Sequence, residues 1–69
     1  MTITLKAARV NAGLSQKEAV TKLEQEYRYK LTRQRLASYE KEPDKVTIEL
    51  ASKLAAVYKL NVNDIFFGS

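Results

Sequence analysis

The clearest chemical feature of the sequence is a group of cations near its middle. Four cations fall within eight residues that contain no acidic side chain: Arg28, Lys30, Arg33 and Arg35. Clustered cations displace counterions from phosphates, so this stretch could bind a polyanion. A charge run of this kind is also typical of the solvated face of a helix, and the cluster alone does not separate the two alternatives.

The distribution of charge along the chain points to the same region. The formal net charge is +4, from 12 basic and 8 acidic residues. Residues 1–35 hold eight of the basic and three of the acidic side chains, so the first half carries +5 and the second half −1. We therefore expect the first half to provide the surface that meets a polyanion.

Catalytic and metal-binding chemistry is not expected. The sequence has no cysteine and no histidine, which removes disulfides, thiolate and imidazole metal ligands and the commonest general base. It also has no glycine-rich phosphate loop, so we expect no enzyme activity, no cofactor, no metal and no small-molecule ligand. The absence of a long apolar run and of a signal-peptide core predicts a cytoplasmic protein without a membrane partner.

These side chains must be positioned by helices. We expect residues 1–69 to form one domain, because this length is near the lower limit for a single apolar core. The apolar spacing predicts an all-α, compact bundle of five helices. Helix 1 is predicted from about residue 4 to residue 12, on the spacing of Leu5, Ala8 and Ala12, and Gly13 suits the left-handed position that follows.

The second helix is predicted to be long. Ser15 and Glu18 form a capping box, in which each side chain accepts a hydrogen bond from the backbone amide of the other. Neither glycine nor proline interrupts the stretch that follows, and acid-before-base pairs at helical spacing support it. We expect this helix to continue to about Arg28.

Three further helices are predicted. Thr32 caps the third, with Leu31 and Leu36 as a hydrophobic staple, and its first turns then face outward with Arg33, Gln34, Ala37 and Ser38. Thr47 caps the fourth, which runs to about Lys59 with apolar positions at Ile48, Ala51, Leu54, Ala55 and Tyr58. A short fifth helix after Asn61 is expected to carry Val62, Ile65 and Phe66 to the core.

Three stretches together resemble the DNA-binding domain of lambdoid phage repressor and Cro proteins, and of the wider XRE family of bacterial regulators. They are residues 9–16 (RVNAGLSQ), 32–40 (TRQRLASYE) and 47–66 (TIELASKLAAVYKLNVNDIF). The resemblance implies a small Cro-like or repressor-like transcription regulator that binds a double-stranded DNA operator. The second helix of its helix-turn-helix, the recognition helix at about residues 32–41, would lie in the major groove of the DNA.

The resemblance also implies roles for individual residues. The resemblance assigns base reading to Arg33, Gln34 and Ser38. The alternative interpretation is that they are ordinary exposed helix residues. Ser15 and Gln16 match positions that hold a phosphate at the start of helix 2, and simple capping is their alternative. The full set of phosphate-binding candidates is Ser15, Gln16, Lys17, Arg28, Lys30, Arg35, Lys41 and Lys45.

Two further expectations come from the resemblance. Arg9 and Glu40 stand where the family often has a buried salt bridge between helices 1 and 3, so their role would be structural. A homodimer on DNA is expected to pair through the end of helix 4 and helix 5, with Val57, Phe66 and Phe67 as candidates. Phe66 taken alone is better explained as a core residue.

The sequence departs from the family pattern between helices 2 and 3. Seven residues separate Leu23 from Leu31, where the family usually has a single glycine. We expect this insertion to lengthen helix 2 and widen the turn, and Arg28, Lys30 and one tyrosine to add contacts to the phosphate backbone. The rival hypothesis is a helical protein-interaction module of the antitoxin or anti-repressor type, with weak or no DNA binding.

Overall fold

The computed structural model describes residues 2–67 and contains four α-helices: α1 Leu5–Asn11, α2 Gln16–Tyr27, α3 Arg33–Lys41 and α4 Ile48–Val57. Each starts at a residue whose side chain accepts a hydrogen bond from a backbone amide of the first turn, namely Thr4, Ser15, Thr32 and Thr47. Such caps satisfy amides that have no partner inside the helix. The predicted α-helical class and the first four helices are confirmed, with ends that differ by one or two residues.

The predicted fifth helix is wrong. Val62–Asp64 form a single 3-10 turn, and the chain then becomes a two-residue strand, β2 Ile65–Phe66. This strand pairs in parallel with β1 Ile3–Thr4, in the register Ile3 to Ile65 and Thr4 to Phe66. Because β1 supplies backbone partners to this segment, its amides and carbonyls need no further helical turn.

The core lies between all four helices and β2. Its largest fully buried side chains are Leu5, Leu23, Leu36, Leu50 and Leu54. The predicted core positions Ile48 and Val62 do not belong to it, since Ile48 is 87% exposed and Val62 is also exposed. Ile48 is the first residue of α4 and therefore extends past the edge of the core, which α4 contacts from Leu50 onward.

The insertion between α2 and α3 is a wide, ordered turn. Arg28 ends α2 in the left-handed conformation, with φ 54°. Its amide donates to the carbonyl of Glu24, and the Tyr29 amide donates to the carbonyl of Leu23. Tyr29 and Leu31 then pack against the core, so the turn is held down by apolar contacts on one side.

None of the helices within residues 2–67 is long and apolar enough to cross a membrane.

Candidate nucleic-acid interface

The outer face of α3 displays the predicted base-reading residues. Arg33, Gln34 and Ser38 are all exposed. Leu36 of the same helix is fully buried, so α3 cannot rotate about its axis without exposing an apolar side chain. Thr32 Oγ1 accepts from the Arg35 amide at 3.1 Å and starts the helix at the residue before Arg33.

The far end of α3 is held by a buried ion pair. Arg9 Nε donates to Glu40 Oε2 at 2.6 Å and Arg9 Nη2 to Glu40 Oε1 at 3.3 Å, which is the bidentate geometry of strong arginine–carboxylate pairs. Arg9 Nη1 donates to the carbonyl of Leu14 at 2.8 Å. The Gln16 side-chain amide donates to Glu40 Oε1 at 3.0 Å. This network connects α1, the start of α2 and the end of α3.

Burial and charge act together around this network. The hydrogen bond from Arg9 to Glu40 raises the pKa of Arg9 above its ordinary value, although burial acts in the opposite direction. Burial raises the pKa of the neighbouring Tyr58 phenol well above its usual range, and the negative charge of Glu40 adds to the rise. The Tyr58 hydroxyl is buried without a hydrogen-bond partner among residues 2–67. Tyr58 was expected only as an apolar position of its helix.

The start of α2 combines capping with a shallow hollow. The Ser15 amide donates to Glu18 Oε1 at 2.8 Å, and the Glu18 amide donates to Ser15 Oγ at 3.1 Å, as the capping box predicts. The Ser15 amide is the main reason that the pKa of Glu18 is lowered. The hollow brings part of the predicted phosphate set next to a predicted base reader, since it is lined by Arg9, Ser15, Gln16, Lys17 and Arg33.

A second, basic cleft lies where the inserted turn meets α3. Its volume is about 460 Å³, and it is lined by Arg28, Tyr29, Lys30, Leu31, Thr32, Arg35 and Tyr39. The guanidinium of Arg35 lies 5.4 Å from the centre of the Tyr39 ring, and its Nε donates to the Tyr39 hydroxyl at 3.3 Å. Tyr39 also packs partly against the core. The four-residue spacing to Arg35 on one helix face is the sequence pattern that could have revealed this contact.

The remaining phosphate candidates lie beyond the second turn of α3. Lys41 is exposed at the last position of the helix. Lys45 forms an exposed ion pair with Glu42, with 3.2 Å between Nζ and Oε2. Lys45 and Glu42 also line a hollow with Arg35 and Ser38, so an acidic group stands among these cations. The structure thus places Lys45 beside a competing carboxylate.

The structure describes the surroundings of two of the three residues expected at a dimer contact, Val57 and Phe67. Val57 is 6% exposed and belongs to the core, which leaves little of its side chain for a partner. The side chain of Phe66 lies outside what the structure describes, and Phe67 packs partly against the core. An apolar hollow nearby, which the sequence did not indicate, is lined by Val46, Ile48, Ala51, Ser52, Val62, Asn63, Ile65 and Phe67.

The sequence of the chain matches a known protein family. The family model described as helix-turn-helix matches residues 5–65, which is nearly the whole of the chain. The protein therefore belongs to this helix-turn-helix family, a family of DNA-binding regulators, and the resemblance to XRE-type regulators is confirmed at that level. No curated protein and no solved structure matches the chain significantly.

Proposed function

We propose that the protein binds double-stranded DNA in a sequence-specific manner, as a small Cro-like or repressor-like transcription regulator. The observation that carries the proposal is the orientation of α3. Arg33, Gln34 and Ser38 are exposed to solvent, while the buried Leu36 and the ion pair of Arg9 with Glu40 hold the helix against the rest of the domain. A helix of this kind fits the major groove, where its N-terminal side chains meet base edges.

Each exposed side chain has a matching base edge. The guanidinium of Arg33 suits guanine O6 and N7, and the amide of Gln34 suits adenine N6 and N7. The shorter hydroxyl of Ser38, one turn further along α3, can donate to or accept from several bases. We infer from this set a short half-site in which the two bidentate contacts give most of the discrimination.

Phosphate binding would orient the protein on the duplex. The hollow at the start of α2 is lined by Ser15, Gln16 and Lys17, and the N-terminus of a helix favours an anion. The Gln16 amide has two hydrogens, of which the one not bonded to Glu40 remains for a phosphate oxygen. Contacts of this kind set register without reading sequence.

We also propose that two copies bind together on DNA through the apolar hollow around Ile48. The chain carries a net charge of +4, so copies repel one another unless they meet at a neutral surface. None of the eight residues that line this hollow is charged, and a two-fold contact needs a surface that is complementary to itself. Pairing of half-sites then supplies the specificity that one small domain lacks.

The proposal is tested by selecting bound sequences from a random duplex pool. We expect a two-fold symmetric site whose halves lie about one helical turn apart. The matched control is Arg33→Ala with Gln34→Ala, which leaves the buried side of α3 intact and should lose the selected sequence. If the wild type enriches no sequence, the DNA-reading proposal is wrong. In that case the exposed Ile48 surface favours the protein-interaction module.

The dimer contact has its own test. Replacing Ile48 with Gln removes an exposed apolar side chain, so the fold should persist while binding to paired half-sites weakens toward that of one half-site. Val10 is likewise an exposed aliphatic residue, on α1, and Val10→Gln is the matched control. Sedimentation of the protein on DNA gives the copy number. Equal behaviour of the two variants would exclude this surface as the dimer contact.

A further inference from the structure

We propose that the cleft between the inserted turn and α3 is a binding site for one phosphate group of the DNA backbone, outside the bases that α3 reads. This inference rests on the proposed DNA binding and adds a contact to it. The two sides of the cleft come from Arg28 and Lys30 on the turn and from Arg35 and Tyr39 on α3.

The charged residues that line the cleft are all basic, although Arg35 also borders the neighbouring hollow that contains Glu42. Three of its lining residues are cations and none is acidic. Within residues 2–67, none of the ion pairs involves Arg28, Lys30 or Arg35. Three positive groups around one hollow repel each other, and that repulsion is relieved when an anion enters.

The two hydroxyl groups of the cleft are set up to donate. Thr32 Oγ1 accepts from the backbone amide of Arg35, and the Tyr39 oxygen accepts from Nε of the same residue. Each oxygen accepts one of these hydrogen bonds, and each hydroxyl keeps its own hydrogen for a different acceptor. The side chains of the cleft therefore offer donors and positive charge, which is the chemistry that binds a tetrahedral oxyanion.

The conformation of the turn provides an independent argument. Arg28 has a positive φ, which residues other than glycine adopt at an energetic cost. Glycine or asparagine would fulfil the same cap at less cost. A strained cation at the rim of a basic cleft is consistent with selection for binding rather than for stability.

The position of the cleft identifies the source of the phosphate. Thr32 lines the cleft and also caps α3, so the cleft adjoins Arg33, the first predicted base reader. A phosphate at the edge of the same groove is therefore the nearest anion once α3 enters the DNA. The expected result is a protein that contacts a longer stretch of backbone than its few base contacts require.

The test compares the salt dependence of DNA binding for two charge-matched variants. Arg28→Asn with Lys30→Gln removes two cations of the cleft, and Asn tolerates the left-handed conformation. Lys6→Gln with Lys22→Gln removes two exposed cations elsewhere. Log affinity falls as log salt rises, and loss of one phosphate contact should make this slope less steep by about 0.9 for the cleft variant and leave it unchanged for the control variant.

Tyr39→Phe refines the test, because it removes a hydroxyl and no charge. We expect DNA affinity to fall by about two- to tenfold, the range of one hydrogen bond, at an unchanged salt slope. Thermal melting of every variant in the absence of DNA separates loss of binding from loss of folding. An unchanged slope in a folded Arg28→Asn, Lys30→Gln variant overturns the proposed phosphate site in the cleft, while the proposed DNA binding stands.

A titration with inorganic phosphate at constant ionic strength separates the two proposals further. In the wild type we expect saturable amide NMR shifts for residues 28–35, which the cleft variant should lose. Suppose that the wild type binds no DNA but shows these shifts. The DNA-backbone assignment is then wrong, and the cleft is a site for free phosphate or a small phosphate ester. The absence of shifts together with an unchanged slope rules out an anion site.

Discussion

Arginine side chains stand at both ends of α3, and the two ends use them in opposite ways. At the C-terminal end, the side chains of Arg9 and Glu40 are 10% and 5% exposed and are bonded to each other. At the N-terminal end, Arg28 and Arg35 are exposed around a cleft that contains no carboxylate. The same residue type holds α3 through a carboxylate at one end and lines a cleft without acidic residues at the other.

The two ends differ in whether the arginine is paired with a buried carboxylate, and this pairing determines whether a mutation lowers stability or DNA affinity. A buried charge that loses its partner stays unsolvated, so breaking the pair damages the fold. An exposed cation is already solvated by water, so its removal changes binding more than stability. The comparison thus separates stability from DNA affinity along a single helix.

The largest effect is expected for Arg9→Ala. Glu40 then remains buried with Gln16 as its remaining side-chain donor, and we expect the free energy of unfolding to fall by about 3–5 kcal/mol. Chemical denaturation measures the change. The control is Lys22→Ala, which breaks an exposed ion pair with Glu26 and should cost no more than about 0.5 kcal/mol. Melting of Arg9→Ala within a degree of the wild type would remove the contrast between the two ends.

The next effect is on binding. Arg33→Ala should weaken binding to the selected DNA site by about 1–3 kcal/mol and relax preference at one base pair, because one bidentate contact is lost. Its stability should stay close to that of the wild type, since the side chain is exposed. Binding titrations on the selected site and on single-base variants give the result. A uniform loss across all sequences would reassign Arg33 to phosphate binding.

A smaller effect of opposite sign is expected at the turn. Arg28→Gly relieves the positive φ, so we expect stability to rise by about 1 kcal/mol while DNA affinity falls. Lys59 also has a positive φ, after the end of α4, and Lys59→Gly is the matched control. It should stabilise the protein to a similar extent with DNA affinity retained. Equal DNA affinity in both variants would show that Arg28 is only a helix cap.

The smallest effect concerns pH. The pKa of Glu18 is lowered in the folded protein, chiefly by the Ser15 amide, from its ordinary value of 4.5. A lowered folded pKa adds stability that is fully present above pH 4.5 and is lost as the pH falls through the folded pKa. Glu18→Gln keeps the shape of the cap without its charge. The difference in melting temperature from the wild type should be largest near pH 7 and shrink below pH 4.

Local features of the fold were predictable from the sequence, whereas contacts between distant segments were not, apart from the pair of Arg9 with Glu40 that the family resemblance implied. The caps at Ser15, Thr32 and Thr47 were found because a capping side chain bonds an amide three residues away. The fifth helix was wrong because β2 is decided by its pairing with β1 at the other end of the chain. Ile48 was placed in the core because helical spacing does not show where the core ends.

The site divides in the same way. Exposure of Arg33 and Gln34 followed from the periodicity of one helix, whereas the buried pair of Arg9 with Glu40, 31 positions apart, was expected only from the family resemblance. In the sequence, Arg28 and Arg35 are two members of one charge run. In the structure, Tyr29 packs against the core, and the two arginines line a cleft together with Tyr39.

Sequence alone determined where the helices of this protein start and which side of each is apolar, because caps and helical period act within a few residues of chain. The tertiary structure decided which cations are neutralised and which remain open to an anion. That distinction depends on the solvent and the counter-charges around each side chain, and both are supplied by segments that are remote in sequence.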